Sequence, residues 1–175
     1  MNTITPNRDS KATLTNWVKQ AQDGDKKAFE QVVRLTESLA RKTAFPAIRS
    51  DLVEDVVQEA YLVVFQKLHH LRKPEAFQAW LCRIVLNVCH AVRKRHPPTA
   101  ELDEQAQSPD STIRVDNHSA MREALGKLSE ESRNALIMRE FLKMEYEEIA
   151  YALNLPVGTV RSRLHYGRKK LAKLV

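Results

Sequence analysis

The sequence predicts an all-α protein built as two small helical domains joined by an acidic linker. Three observations predict it. Only 4 glycines and 7 prolines occur in 175 residues, while Leu, Ala, Glu, Lys, Arg and Gln, all good helix formers, are frequent. Apolar residues recur at spacings of three and four, without strand alternation, a long repeat or a low-complexity tract. A stretch rich in Asp and Glu and poor in periodic apolar residues separates two helical blocks.

Residues 1–13 read as a polar tail, and residues 14–96 as the first domain. Helix is expected from Asn16 to about Arg41, marked by Trp17, Ala21, Phe29, Val32, Val33 and Leu39. It breaks at Asp23-Gly24-Asp25, where Gly24 can close one helix and Asp25 can cap the next. Pro46 ends this stretch. Asp51 opens another helix, with Glu54 three residues on in a capping-box spacing. Leu52, Val56, Ala60, Val64 and Leu68 form its core stripe, and Asp55, Gln58, Glu59, Leu62 and Gln66 its outer face. A polar loop, His69 to Lys73, leads to Pro74-Glu75, which reads as a helix start. From Phe77 to Arg95 helix is expected again, with Ile84, Val88 and Ala91 or Val92 facing inward alongside Cys82 and Cys89. A second stripe on that helix holds Trp80, Arg83, Asn87, His90 and Lys94. Pro97-Pro98 stops it.

Residues 97–118 carry Glu101, Asp103, Glu104, Asp110 and Asp116 against a single Arg114, and are expected to be an extended, flexible linker. In the last block, 119–175, Ala124, Leu125 and Leu128 mark a first helix. Ser129, with Glu130 and Glu131 behind it, caps a second that turns Leu136, Ile137 and Phe141 toward a core. A short helix from about Glu145 to Leu153 and a longer one from about Val157 have helix-turn-helix form. Ile149, Ala150 and Leu153 face inward, Asn154-Leu155-Pro156 makes the turn, and Val160, Leu164, Gly167 and Leu171 line the buried side. The other side offers Arg161, Ser162, His165, Arg168 and Lys169.

The net charge of +6 points to a polyanionic partner. The charge is concentrated: from Gly158 onward six Lys and Arg stand without an acidic side chain. Lysine and arginine on phosphates supply sequence-independent affinity, Arg161 can reach guanine edges, and Ser162 can contact base or phosphate. No apolar run reaches the roughly 18–20 residues of a membrane span, and the polar start has no signal-peptide core. A cytoplasmic protein without membrane insertion is expected. Cys82 and Cys89, one heptad apart, read as buried thiols rather than a disulfide or metal pair. His69 and His70 lack a carboxylate or cysteine at ligand spacing, so no metal and no cofactor are expected. No enzymatic motif is found. A stand-alone helix-turn-helix regulator with a ligand-sensing or dimerising first domain stays open on these grounds.

A family resemblance narrows that choice. Gly24-Asp25-Lys26-Lys27-Ala28-Phe29, then Asp55-Val56-Val57-Gln58-Glu59-Ala60-Tyr61, then Phe77-Gln78-Ala79-Trp80-Leu81-Cys82-Arg83-Ile84 with Asn87, resembles region two of bacterial sigma factors. Pro156-Val157-Gly158-Thr159-Val160-Arg161-Ser162-Arg163-Leu164 resembles their region four. With no recognisable third domain between, the chain is similar to the extracytoplasmic-function (ECF) group of the sigma-70 family, over about residues 14–96 and 119–173. The resemblance implies a dissociable, non-enzymatic subunit of RNA polymerase that recognises minus-thirty-five and minus-ten promoter elements and promotes DNA opening. It implies docking on core polymerase, through its β′ and β subunits, by Asp55, Gln58, Glu59 and the exposed Leu62. It gives minus-ten contacts to His70, Arg72 and Lys73 in a loop that captures a flipped base, and to Trp80, Arg83, Asn87, His90 and Lys94 along the opened strand. Minus-thirty-five contacts fall to Thr159, Arg161, Ser162, Arg163, His165, Tyr166, Arg168 and Lys169, and an anti-sigma factor is implied as a further partner. Two positions depart from the family pattern. His90 stands where many relatives have an acidic residue, and Tyr166-Gly167-Arg168 stands where they often have Arg-Ala-Arg.

Overall fold

The computed structural model describes residues 8–96 and 112–174, with side chains placed for 12–96 and 119–174. Every regular element among these residues is helical. The first two helices, α1 (Arg8–Gln22) and α2 (Lys26–Ala44), form a hairpin. Gly24 bends the chain with φ +94°, a left-handed value that costs glycine nothing. The Asp25 carboxylate then accepts from the backbone N–H groups of Lys27 (2.8 Å) and Ala28 (3.2 Å), capping α2 as expected. α1 begins inside the stretch read as a polar tail. Leu14 and Val18, one turn apart, are both buried, so the apolar face of α1 is established before Asn16.

A one-turn 3₁₀ segment, Ser50–Leu52, precedes α3 (Val53–Lys67). The capping box expected from Asp51 and Glu54 does not form, because arginines claim both carboxylates. Arg49 donates to Asp51 from Nε (3.1 Å) and Nη2 (2.5 Å), holding the Asp51 carboxyl below its usual range. Glu54 pairs with Arg41. Two further 3₁₀ turns, Leu68–His70 and Pro74–Ala76, lead into α4 (Phe77–Arg95), whose span is the one the sequence predicts. α2, α3 and α4 pack on one another around Val32, Ala40, Val56, Ala60, Val64, Leu81 and Val85, all fully buried. Of the pair left open on α4, Val92 is buried and Ala91 exposed.

Apart from Arg93 Nη1, which is buried without a hydrogen-bond partner, the buried polar groups described in this bundle are satisfied locally. The Thr36 hydroxyl donates to the Val32 carbonyl (2.7 Å) and so accepts from the Tyr61 hydroxyl (2.9 Å); burial pushes Tyr61 up to about 12. Cys82 and Cys89 are buried free thiols, each raised to about 12 by desolvation.

In the second domain, α5 (Thr112–Gly126) starts earlier than expected: residues 112–118 are helical rather than extended, and 97–111 lie outside the described residues. Ser129 caps α6 (Glu130–Leu136), accepting from the Ser132 N–H. The chain continues into a π-turn, Ile137–Phe141. A π-turn carries an extra residue per turn and rotates the residues beyond it, so Phe141, expected in the core, is 42% exposed. Then come α7 (Tyr146–Leu153) and α8 (Val157–Leu171). The corner between α5 and α6 is held by Arg133, itself buried. Its Nε donates to the Leu125 carbonyl (2.7 Å), and Nη2 donates to those of Gly126 (3.1 Å) and Leu128 (2.8 Å). These carbonyls lie at and just beyond the end of α5, where helical partners run out; that of Leu125 also accepts from the Leu128 N–H (3.2 Å). Burial lowers Arg133 to about 10.

The domains share one continuous apolar core. α7 packs on α4 on one side and on α8 on the other, and the π-turn touches α2. At the opposite edge of the junction, Arg122 of α5 lies over the Phe45 ring (5.8 Å) and donates to the Ile48 carbonyl (3.4 Å).

Candidate nucleic-acid and polymerase interfaces

The helix-turn-helix is built by α7 and α8. Glu145 and Glu148 cap α7 reciprocally, a capping box not expected from the sequence. The turn rests on Asn154, which adopts φ 53°, a conformation asparagine tolerates better than most residues. Leu155 is half-buried, and Pro156 starts α8. Val160, Leu164 and Gly167 face the core. A Cβ on Gly167 would meet the Leu136 side chain at 2.9 Å, so the glycine is what lets α8 approach α6 this closely.

The opposite side of α8 presents most of the expected minus-thirty-five residues. Arg161, Ser162, His165, Tyr166, Arg168 and Lys169 are exposed, and Thr159 is half-buried. Tyr166 is 67% exposed, with its ring edge-on to His165 at 5.6 Å between centroids. Ser162 spends its hydroxyl proton on the Gly158 carbonyl (3.0 Å) and keeps its lone pairs outward. Two of the arginines are engaged within the protein. Arg168 donates from Nε (2.9 Å) and Nη2 (2.7 Å) to Glu140 of the π-turn, which raises its pKa. Arg163 is half-buried and lies 3.4 Å from Glu131. Sequence spacing points to neither partner, because each comes from a helix distant in the chain.

The stripe on α4 is on one face: Arg83, Asn87 and Lys94 are exposed, and Trp80 and His90 are half-buried. Trp80 stands 6.0 Å from the Phe77 ring, partly packed on the core while keeping an exposed edge. His70, Arg72 and Lys73 are exposed on the preceding loop, with the His69 and His70 rings 3.9 Å apart. That loop is braced by a residue the sequence does not single out. Gln22, at the end of α1, donates from Nε2 to the carbonyls of Leu68 (2.9 Å) and Leu71 (2.8 Å). Two members of this group touch the second domain: His90 Nδ1 is 3.1 Å from Glu130, and Lys73 Nζ is 5.6 Å from the Tyr151 ring centroid.

On α3, Asp55, Gln58 and Leu62 are exposed together, Leu62 at 65%. Glu59 joins that face but accepts from Arg95 Nη2 of α4 (2.7 and 3.0 Å). Phe65, three residues beyond Leu62, is 58% exposed and meets Phe29 edge-on at 5.1 Å. Leu62 and Phe65 form an apolar pair on a polar face, which is a mark of a docking surface. Phe65 is absent from the expected docking set, although its spacing of three from Leu62 carries the same signal.

The described residues thus present a helix-turn-helix with a largely basic outer face, a mixed aromatic and basic face on α4 and an apolar pair on α3. Comparison with known proteins identifies the family. Residues 28–96 match the model for sigma-70 region 2, and residues 118–171 match that for sigma-70, region 4. The chain is 30% identical to RNA polymerase sigma-H factor of Pseudomonas aeruginosa over 174 residues, covering 89% of this chain and 90% of that protein. It is also 30% identical to ECF RNA polymerase sigma-E factor of Escherichia coli K12, covering 88% and 90%. Among solved structures, CnrH in complex with the cytosolic domain of CnrY superposes with a TM-score of 0.71 at 26% identity, covering 93% of this chain and 96% of that one. The sigma factor RpoE in complex with the anti-sigma factor NepR from Bartonella quintana gives a TM-score of 0.63 at 26% identity, covering 85% and 96%. The chain belongs to the sigma-70 family, in its ECF group. It is a promoter-recognising sigma factor for RNA polymerase, an initiation factor rather than an enzyme. No helix among the described residues is long and apolar enough to cross a membrane.

Proposed function

We propose a division of labour among these residues, carried by one observation: three separate exposed faces hold three distinct chemistries. The Asp55, Gln58, Glu59 and Leu62 face of α3, extended by Phe65, docks on core polymerase. An apolar centre rimmed by polar groups suits a protein interface. The loop His70, Arg72 and Lys73 and the α4 stripe Trp80, Arg83, Asn87, His90 and Lys94 hold the opened minus-ten strand, where cations track phosphates and an aromatic edge stacks on bases. α8 enters the minus-thirty-five major groove, with Arg161 and Ser162 reading base edges and Thr159, Arg163, His165, Tyr166, Arg168 and Lys169 placed around them. Arg163 and Arg168, already paired with glutamates, act as pre-positioned phosphate contacts. Residues 14–96 and 119–175 are the two working units. An anti-sigma factor is a further partner, supported by solved relatives that carry one, and the protein acts in the cytoplasm.

Run-off transcription with core polymerase tests this reading. Promoter-specific transcript should appear only when the chain is added, and Glu59→Lys should lower it by weakening core binding. Transcription without loss in Glu59→Lys removes that residue from the docking face. Absence of transcript from promoters selected with the reconstituted holoenzyme overturns the assignment of faces.

A further inference from the structure

Two residues that depart from the family pattern, Tyr166 and Gly167, sit side by side on the recognition helix. Helical spacing sorts the outer side chains of α8 into two strips. Arg161, His165 and Arg168 follow at steps of four and three and form a basic strip. Thr159, Ser162 and Tyr166 follow at steps of three and four and form a strip without formal charge. The uncharged strip suits phosphate badly. Phosphate oxygens accept hydrogen bonds and carry charge, so donors and cations recognise them. Ser162 has spent its proton on the Gly158 carbonyl (3.0 Å) and offers only lone pairs. Arg163, three residues before Tyr166, lies half-buried against Glu131 (3.4 Å). What the strip presents instead is a ring. Tyr166, at 67%, is the most exposed large apolar or aromatic side chain among the described residues. A single exposed ring carries no argument by itself. This one stands in line with two hydroxyl residues, on a helix whose lysines and arginines favour a polyanion.

We propose that Tyr166 is a specificity-determining residue that reads the C5-methyl group of a thymine in the minus-thirty-five major groove, beside a base whose exocyclic amine donates to Ser162. Thymine alone presents a methyl group in the major groove, and adenine N6 and cytosine N4 are the amine donors there. From Ser162 to Tyr166 the helix rises about 6 Å, close to two base steps of about 3.4 Å each. The preferred element therefore carries a thymine about two steps from an adenine or cytosine. Gly167 gives the reader a firm seat. A Cβ there would meet Leu136 Cδ1 at 2.9 Å, so α8 rests tightly on α6 at the residue next to Tyr166. The His165 ring, edge-on at 5.6 Å, flanks the tyrosine ring. A side chain held this way can tell one methyl group from none. The inference rests on the assignment of α8 to the minus-thirty-five element and names the chemistry by which that helix selects its sequence.

The test uses holoenzyme reconstituted with the full chain, and fluorescent promoter duplexes carrying the minus-thirty-five sequence that this holoenzyme selects. Each thymine on either strand of that element is replaced in turn by deoxyuridine, which removes the methyl group and nothing else. At one position the affinity should fall about fourfold, the effect of burying one methyl group. Tyr166→Phe should keep that loss, because the ring remains. Tyr166→Ala and Tyr166→Arg should bind the thymine and deoxyuridine duplexes alike, with unchanged helical circular dichroism because the side chain is exposed. A selected element without thymine overturns the proposal, as does wild-type affinity that no deoxyuridine changes. Methyl dependence that persists in both Tyr166→Ala and Tyr166→Arg assigns the contact to another residue and overturns it too. Replacing the whole element by an unrelated sequence reports on the underlying assignment. Unchanged affinity there takes α8 out of the groove and the proposal with it. Sequence dependence without methyl dependence leaves α8 in place and removes only the role of Tyr166.

Discussion

The two domains solve the problem of a small helical core in different ways. The first relies on apolar packing, with few polar groups inside and, Arg93 Nη1 excepted, those described satisfied by a near neighbour, as in the chain from Tyr61 through Thr36 to the Val32 carbonyl. The second is shorter and is braced by arginines. Arg133 ties three carbonyls at one corner, Arg168 is held to the π-turn through Glu140, and Arg139 stacks over Tyr146 at 5.1 Å while donating to the Met144 carbonyl. In a DNA-binding domain this has a cost, since some of its positive charge is committed to structure. It also means that a count of basic residues overstates the charge left free at the surface, because Arg163 and Arg168 are paired with Glu131 and Glu140.

The contrast can be broken at its strongest point. Arg133→Met keeps the bulk but strips the donors from three carbonyls, and should lower the stability of the second domain by about 3 kcal/mol. Thermal or denaturant unfolding monitored by circular dichroism measures the loss; a change under about 1 kcal/mol would show that water replaces the arginine. Gly167→Val probes the same domain by volume. Its side chain would strike Leu136, which is fully buried and has little room to give way, so a loss of about 2 kcal/mol is expected, together with weaker duplex binding. Arg161→Ala separates reading from bracing. If Arg161 contacts a base, holoenzyme affinity should fall by about 1–3 kcal/mol on the preferred minus-thirty-five sequence and much less on a scrambled one; equal loss on both would assign it to phosphate. The smallest effect belongs to the apolar domain. Tyr61→Phe deletes one donor while Thr36 keeps its bond to Val32, and should cost about 1 kcal/mol. A much larger loss would mean the first domain is as dependent on polar bracing as the second.

How much of the structure the sequence makes legible depends on how local each signal is. α4 is legible to the residue because Pro74 opens the approach to it and Pro97-Pro98 closes it, and the helix-turn-helix because Asn154, Pro156 and the apolar spacing lie within one short stretch. Asp25 is recognisable as a cap for the same reason. Asp51 and Glu54 have equally suitable spacing but lose their backbone partners to Arg49 and Arg41, a competition that spacing does not encode. Phe141 is misplaced because a π-turn breaks the 3.6-residue period from which its direction is inferred. Residues 112–118 are helical despite their weak apolar pattern. The exposed faces of α3, α4 and α8 are legible as surfaces, but the internal partners of Arg163, Arg168, Glu59 and His90 come from distant helices and leave no trace in spacing. Gln22 bracing the loop that begins at His69 across 46 residues is of the same kind.

The core that runs without a break from one domain into the other also has a thermal consequence. Separating α4 from α7 would hydrate apolar surface, and hydration of such surface raises heat capacity. An equilibrium with that signature is curved in temperature: the joined form is favoured most in a middle range and weakens on cooling as well as on heating. The junction between the domains would therefore act as a thermometer, with a setting fixed by how many apolar side chains it covers.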